Sequence, residues 1–471
     1  MLFNSIIFLV FAAVFFAVFP LIKKQQNFRL GFIVIASFFF YGWWDWRFLF
    51  LILGSGLLDY FVGLLLLKNP KRRKLFLLLS VLGNIGSLMA FKYSGFIGEN
   101  LDLLFASMGM QSGFSENIPD FFLVTPVGIS FYTFQSMSYT LDVYKGRLKP
   151  TKNVLQFFAY LSMFPQLVAG PIVRAKDLLP QLLLVPKLSE KDRWEGLKLI
   201  VHGFFKKMVI ADNLAPIVNK GFVAENMSPD SFYWWLIITA FAFQIYCDFS
   251  GYSDIARGLA RWMGLSFELN FNHPYTSLSL KEFWTRWHIS LSSWFRDYLY
   301  IAIGGSKKGK FRSHLNMWIT MLVSGFWHGA AWTFVIWGGL HAFFMSLERI
   351  LGYPLKLKNS SLGRIFLVLI VSIQVWVAWV FFRANDFSQA MQIVYAMFSF
   401  TGDFSSSLGL DELLFISIGV LREVWIYHGL NKNRFIPKKM RNFTDILLLS
   451  LLIAACVFLR GEGSEFIYFQ F

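Results

Sequence analysis

The chain has 471 residues, of which 56% are hydrophobic and only 15% charged, with 56 Phe, 17 Trp and a formal net charge of +16. A soluble domain usually carries roughly 25% charged residues, and a mean hydropathy of +0.52 leaves more apolar surface than a string of water-exposed domains can bury. This excludes a soluble multidomain protein, and because the basic residues sit in short loops between apolar runs, membrane topology explains the charge and nucleic acid is set aside as a partner.

The composition predicts an all-α polytopic membrane protein surrounded by membrane lipid. A crossing takes ~20 residues, so the apolar content sets a ceiling of about thirteen spans, and connecting loops lower it to about ten or eleven. The run from Leu2 to Phe19 has no basic start and no small-residue cleavage site, and reads as a retained first span with its N-terminus outside. Lys23, Lys24 and Arg29 mark a cytoplasmic turn, as do Lys68 to Lys74 (KNPKRRK), with two crossings between them around Trp43-Trp44-Asp45-Trp46. Leu75 to about Phe91 then leads to an outside loop holding Glu99, Asp102, Glu116 and Asp120, and Phe121 to about Tyr144 returns to the basic Lys145 to Lys152. Leu155 to Pro171 is apolar but carries Pro165 and Gly170-Pro171, which predicts a re-entrant or interfacial segment covered by protein.

Arg193 to Lys220 mixes apolar residues with Lys198, His202, Lys206 and Lys207 and reads as an amphipathic interfacial helix. Ser231 to Phe249 predicts a span, and Leu315 to about Phe344 a hairpin or tilted pair. Lys356 and Lys358 are cytoplasmic, Ile365 to Phe382 crosses outward, Asp386 to Glu412 is polar, and Leu413 to His428 crosses back. The basic Lys432 to Arg441 (KNRFIPKKMR) precedes a last span, Phe443 to about Leu459, which leaves the C-terminus outside. No repeat, low-complexity tract or linker appears, so residues 1–471 read as a single membrane domain. Cys247 and Cys456 lack C-x-x-C spacing, and His202, His273, His314 and His428 are scattered, so neither a disulfide framework nor a metal site is expected.

Polar residues inside apolar runs mark functional candidates. Three clusters stand out. FQIYCDFSGYSD (Phe243 to Asp254) places Asp248, Ser250, Tyr252, Ser253 and Asp254 around Gly251 at the end of a span; a capped helix break is the plain alternative. FWTRWHISLSSWFRDYLY (Phe283 to Tyr300) reads as one aromatic helix with Trp284, Trp287, His288, Arg296 and Asp297, for which an interfacial aromatic anchor with an ion pair is the alternative. SGFWHGA (Ser324 to Ala330) sets His328 beside Trp327 among small residues, in a setting where an imidazole needs a partner and is suited to deprotonating a hydroxyl near pH 7; a hydrogen-bonded core residue is the alternative. Gly304 to Lys310 (GGSKKGK) matches half a phosphate loop, but Phe311 stands where Ser or Thr must bind magnesium, leaving a basic turn.

These clusters, together with TPVGISFYTFQSMSYTLDVYKG (Thr125 to Gly146), FPQLVAGPIVR (Phe164 to Arg174), GFFKKMVIADNLA (Gly203 to Ala215) and WVFFRA (Trp379 to Ala384), resemble the membrane-bound O-acyltransferase family, in particular its bacterial branch of alginate O-acetylases and peptidoglycan O-acetyltransferases. The resemblance implies a helical bundle around a central tunnel in the bacterial cytoplasmic membrane, with His328 as the catalytic histidine and His288 as the second functional one. It implies acetyl-CoA as a cytoplasmic donor substrate rather than a bound cofactor. A cell-envelope polysaccharide would be the acceptor, reached through extracytoplasmic acetyltransferase partner proteins. Asp248, Ser250, Tyr252, Trp284, Trp287, Trp327, Arg296 and Asp297 are then expected along the acyl tunnel or at the donor.

The closing residues Glu465 to Phe471 contain FIYFQF, which is similar to the acyl-carrying tyrosine motif of the small partner peptide in teichoic-acid D-alanylation. Because the charge pattern places residues 465–471 outside the cytoplasm, Tyr468 is expected to enter the tunnel from that side and receive the acetyl group near His328; an amphipathic tail resting at the interface is the alternative. A D-alanyl-type transferase fed by a carrier protein and a non-enzymatic transporter or flippase are the rival functions, though the latter would show repeated halves with matching broken helices.

Overall fold

The computed structural model describes residues 1–223, 228–402, 409–427 and 441–469. The regular structure among the described residues is helical, as the composition predicts. Among them, five helical runs are long and apolar enough to cross a membrane: Gln26–Lys68, Pro70–Ser107, Ser231–Trp262, Trp332–Leu351 and Ser361–Arg383; the shorter Ile6–Ile22 and Phe443–Phe458 are also apolar. The chain clusters into two compact units, Met1–Leu197 with Ala256–Glu268, and Lys198–Ile255 with Leu269–Phe471. The expected basic cluster from Lys432 lies outside the described residues up to its last member, Arg441, as do His428, Gln470 and Phe471.

In the first unit, phenylalanine fills the interior. Phe8, Phe15 and Phe19 of the opening helix are buried, and Phe164 meets Phe11 and Phe15 edge-on with ring centroids 5.2 and 5.0 Å apart, a favoured aromatic geometry. The buried Asp59 carboxylate accepts from Ser80 Oγ at 2.5 Å, Asn84 Nδ2 at 2.8 Å and Ser136 Oγ, which joins three helices through donors that offset its desolvation. The expected span from Phe121 to Tyr144 is interrupted. Asp120–Leu123 forms a single turn, Gly128 has a φ of 76°, and only then does Ile129–Tyr144 run as a helix, buried along nearly all its length and so without a lipid-facing side. The Leu155 to Pro171 segment is broken into Val154–Leu161 and Phe164–Leu167, and residues 156–173 are all buried, the protein cover that irregular backbone at membrane depth requires.

The second unit corrects three expectations. First, the Arg193 to Lys220 region is not a simple interfacial helix: the Glu190–Phe204 helix passes through a π turn, Phe205–Ala211, into Asp212–Gly221, and both Lys206 and Lys207 point into the protein. Second, the Gly251 cluster does not sit at the end of a span, and the alternative of a capped helix break does not hold either. Ser231–Trp262 continues through the cluster, and Gly251 is needed for close approach, since a Cβ there would lie 2.8 Å from the Gly203 carbonyl oxygen. Third, the aromatic segment is not one helix but two short ones, Leu280–Arg286 and Ile289–Phe295, with His288 between them at φ 41° and a π turn, Arg296–Tyr300, after them. The predicted hairpin is present as Gly309–His328 and Trp332–Leu351. These helices touch backbone to backbone: a Cβ on Gly338 would lie 2.3 Å from the Met321 oxygen, and one on Gly325 2.3 Å from the Phe334 oxygen.

Candidate active site

The hairpin turn at Gly329–Ala331 ends the first helix at His328, which is 3% exposed. Aromatic rings enclose the imidazole, with centroids 4.9 Å away at Trp327, 5.0 Å at Trp337, 5.5 Å at Phe382 and 5.7 Å at Tyr468. Phe382 and Trp379 come from the interior face of Ser361–Arg383, 5.2 Å apart and edge-on. An imidazole in such a wall is shielded from water, a setting that protects a reactive group from hydrolysis.

Tyr468 reaches this point because the segment after the last helix is pinned residue by residue. Gly461 N donates to the Met208 oxygen at 2.9 Å, and Asn213 Nδ2 donates to the Leu459 oxygen at 2.8 Å. Ser464 donates from its backbone and hydroxyl to Asp212 Oδ1 at 3.2 and 2.7 Å. Ile467 N donates to Asp248 Oδ2 at 2.7 Å. Lys207 joins both carboxylates, at 2.8 Å to Asp212 and 2.9 Å to Asp248, and donates to the Ser464 oxygen at 2.9 Å. Burial works against this ammonium charge, but the flanking carboxylates outweigh it and hold the Lys207 pKa above the ordinary lysine value. Beyond the clamp the Tyr468 ring packs on Phe249 at 4.7 Å and stacks on Phe466 at 5.7 Å, while Phe466 also meets Tyr252 at 5.2 Å. Burial pushes the Tyr468 phenol above its usual pKa, so its oxygen becomes a nucleophile only with a base beside it.

His288 is fully buried and lies edge-on to Phe249 at 4.6 Å, the same ring that Tyr468 packs on. Its Nδ1 is 3.2 Å from Asn270 Oδ1, which also accepts from Ser290 N at 3.2 Å and Ser290 Oγ at 2.9 Å. A backbone N–H can only donate, so Asn270 presents its oxygen here, and His288 Nδ1 must carry the proton; Nε2 then bears the lone pair. Burial lowers the His288 pKa to about 3, which keeps the ring neutral. The left-handed backbone at His288 is strained for a residue with a Cβ and is held by Ile289 N donating to the Asn270 oxygen at 2.8 Å.

Of the residues singled out from sequence, His328, Tyr468, Trp327 and Asp248 meet in this cluster, and His288, Tyr252, Trp284 and Trp287 lie one ring further out. Trp287 packs on Phe271 and Trp379 at 5.0 and 5.2 Å. Ser250 faces elsewhere, accepting from Lys206 Nζ at 3.1 Å beside the Lys206–Asp254 pair. Arg296 and Asp297, expected along the acyl tunnel or at the donor, pair with each other at 2.7 Å in the π turn, with 63% of the Arg296 side chain and 16% of the Asp297 side chain exposed. Sequence reasoning missed Lys207, Asp212, Asn270, Phe249 and His341. Lys207 and Asp212 lie within the GFFKKMVIADNLA motif, where a lysine followed five residues later by an aspartate was a signal for an internal ion pair.

A buried histidine walled by aromatic rings, in a chain with several helices long and apolar enough to cross a membrane, suits a membrane-embedded enzyme that protects a reactive group from water. Comparison makes the class specific. Residues 147–356 match the model of the MBOAT, membrane-bound O-acyltransferase family. The chain is 37% identical to the probable alginate O-acetylase AlgI of Pseudomonas putida over 100% of both chains. It is 33% identical to the peptidoglycan O-acetyltransferase of Helicobacter pylori, over 80% of this chain and 75% of that one. It is also 30% identical to the teichoic acid D-alanyltransferase of Streptococcus thermophilus, over 46% of this chain and 55% of that protein. The chain belongs to the membrane-bound O-acyltransferase family, and it is a multi-pass membrane O-acetyltransferase.

Proposed function

We propose that the protein moves an acetyl group from cytoplasmic acetyl-CoA to Tyr468, and from there to a cell-envelope polysaccharide through an extracytoplasmic partner protein. The observation that carries this reading is the seating of Tyr468: its ring lies 5.7 Å from that of His328, centroid to centroid, while the backbone N–H of the preceding Ile467 is held by Asp248. The reading takes residues 1–471 as one membrane domain in the bacterial cytoplasmic membrane, with both termini outside.

His328 takes the phenolic proton as the Tyr468 oxygen attacks the thioester carbonyl carbon. The tetrahedral oxyanion collapses, the C–S bond breaks, and the departing thiolate takes the proton from His328 to leave a free thiol and an acetyl-tyrosine ester. In the second half the partner's hydroxyl attacks that ester, its proton passes through His328, and the Tyr468 phenol is restored. The His288 tautomer suits a lone pair at Nε2 that orients a hydroxyl, rather than an N–H aimed at the oxyanion. Asp248 positions the tail, and the Trp284, Trp287 and Trp327 rings line the acyl path.

The test is mass spectrometry of the C-terminal peptide from protein incubated in vesicles with labelled acetyl-CoA. Label on Tyr468, lost in His328→Ala while membrane insertion persists, is the expected result. Undiminished transfer by Tyr468→Phe would rule out the covalent relay, and normal envelope acetylation in His328→Ala would overturn the role of the histidine. The similarity to a teichoic acid D-alanyltransferase makes a carrier-bound acyl group the second donor to test; label from that source alone would replace acetyl-CoA.

A further inference from the structure

A second fully buried histidine, His341, lies beyond the His328 wall. His341 is 0% exposed, and its ring is edge-on to Trp337 at 4.8 Å and Trp284 at 5.1 Å, and parallel to Phe283 at 6.2 Å. Trp284 and Trp337 are themselves 5.7 Å apart, and Trp337 is edge-on to His328 at 5.0 Å. A single indole therefore touches both imidazoles. Among the described residues, neither nitrogen of His341 has a hydrogen-bond partner, and neither does the indole N–H of Trp284 or of Trp337. Three rings with polar atoms thus meet in an apolar interior without protein partners, although buried polar groups are normally paired. An apolar side chain of similar size would avoid that penalty.

Position along the hairpin indicates what approaches them. Trp337 and His341 are four residues apart and share one face of the Trp332–Leu351 helix, with His341 ~6 Å further from the His328 turn. That direction leads to the end of the hairpin where Arg349 donates to Ser313 at 3.1 Å and where Lys307, Lys308, Lys310, Arg312, Lys356 and Lys358 gather in sequence. The basic end is the one that the charge pattern assigns to the cytoplasm.

We propose that His341, with the indole N–H groups of Trp284 and Trp337, binds the amide-bearing arm of an acyl-pantetheine thioester and holds the donor carbonyl toward His328. This rests on the donor reading above. Such an arm offers both carbonyl acceptors for the indole N–H groups and N–H donors for an imidazole nitrogen, and the basic end suits the phosphate at its far terminus. Coenzyme A and a carrier protein both present this arm. His341 is thus a donor-binding residue, distinct from the residue that moves the proton.

The test uses the full-length protein in detergent and in vesicles, assayed with acetyl-CoA and, separately, with an acetyl-loaded carrier protein. His341→Leu should raise the KM of whichever donor supports transfer by about tenfold, the worth of one hydrogen bond, while its Tm stays at or above wild type. His341→Gln, which keeps a polar group, should fall between them. An unchanged donor KM in His341→Leu overturns the proposal, and so does a KM change that comes with an equal loss of Tm in both variants, which would mark a structural residue. His328→Ala is the control: if it remains active, the underlying reading fails, whereas an inactive His328→Ala beside a His341→Leu of normal KM sinks only the role of His341.

Discussion

Lys207→Met isolates the tail clamp. The three charged side chains of the clamp are almost entirely removed from water, at 9% exposure for Lys207 and 2% and 3% for Asp212 and Asp248. Deleting the ammonium leaves two carboxylates buried without their cation, a change that costs about 3–5 kcal/mol when one partner of a buried pair is lost. At 1.4 kcal/mol per factor of ten, a penalty of that size borne by tail docking lowers the seated fraction by about two orders of magnitude or more. Chymotrypsin reads this directly, because it cuts after Phe466 and Tyr468 only when the segment leaves its groove. The expected result in vesicles is rapid cleavage and loss of acetyl label at Tyr468. Adding Asp248→Asn removes one of the unpaired charges and keeps an acceptor for Ile467 N, so the double variant should recover part of the protection. Wild-type protection and labelling in Lys207→Met would refute the view that this ion pair seats Tyr468.

Two further predictions test the surroundings. The folded pKa of His288, about 3, lies below its unfolded value of about 6.5, so the unfolded chain binds the extra proton first as pH falls. The contribution is intact above pH ~6.5 and declines toward pH 3, about 2 kcal/mol being lost by pH 5; thermal unfolding at pH 7 and 5 should show a smaller decline in His288→Gln than in wild type, and equal declines would contradict the neutral ring. Gly338→Ala places a methyl 2.3 Å from the Met321 oxygen, which cannot yield without moving the backbone. A loss of about 1–3 kcal/mol and a weakened His328 site are expected by denaturant unfolding and activity, and a variant as stable as wild type would show that the hairpin tolerates separation.

Much of the architecture was legible because it follows from local rules. Apolar runs punctuated by basic loops predict helices at membrane depth, and the turn between Gly309–His328 and Trp332–Leu351 follows from the small residues around His328. The polar residues of the Gly251 region were also legible as important, but their geometry was not. From sequence, Gly251 looks like the end of a span, with a capped helix break as the alternative; in the structure it is a crossing point, because the Gly203 backbone occupies the space where its side chain would be. The Phe283 to Tyr300 segment has the periodicity of a continuous helix, yet it breaks at His288, where hydrogen bonds from Ile289 and Ser290 to Asn270 hold a backbone conformation that local propensity disfavours.

By itself, the sequence determined the membrane setting, the helical class and the family, since apolar content, charge placement and motif residues are written along the chain. Only the tertiary structure decided which polar residues meet. Lys207, Asp212 and Asp248 are brought together around Ser464 and Ile467 from segments up to 257 residues apart, and their attraction counts only because burial strips away the water that would screen it. The partnering of His288 with Asn270 and the approach of Tyr468 to His328 arise in the same way. Each is a contact between distant segments, fixed by close packing and by the cost of leaving a polar group in apolar surroundings without a partner.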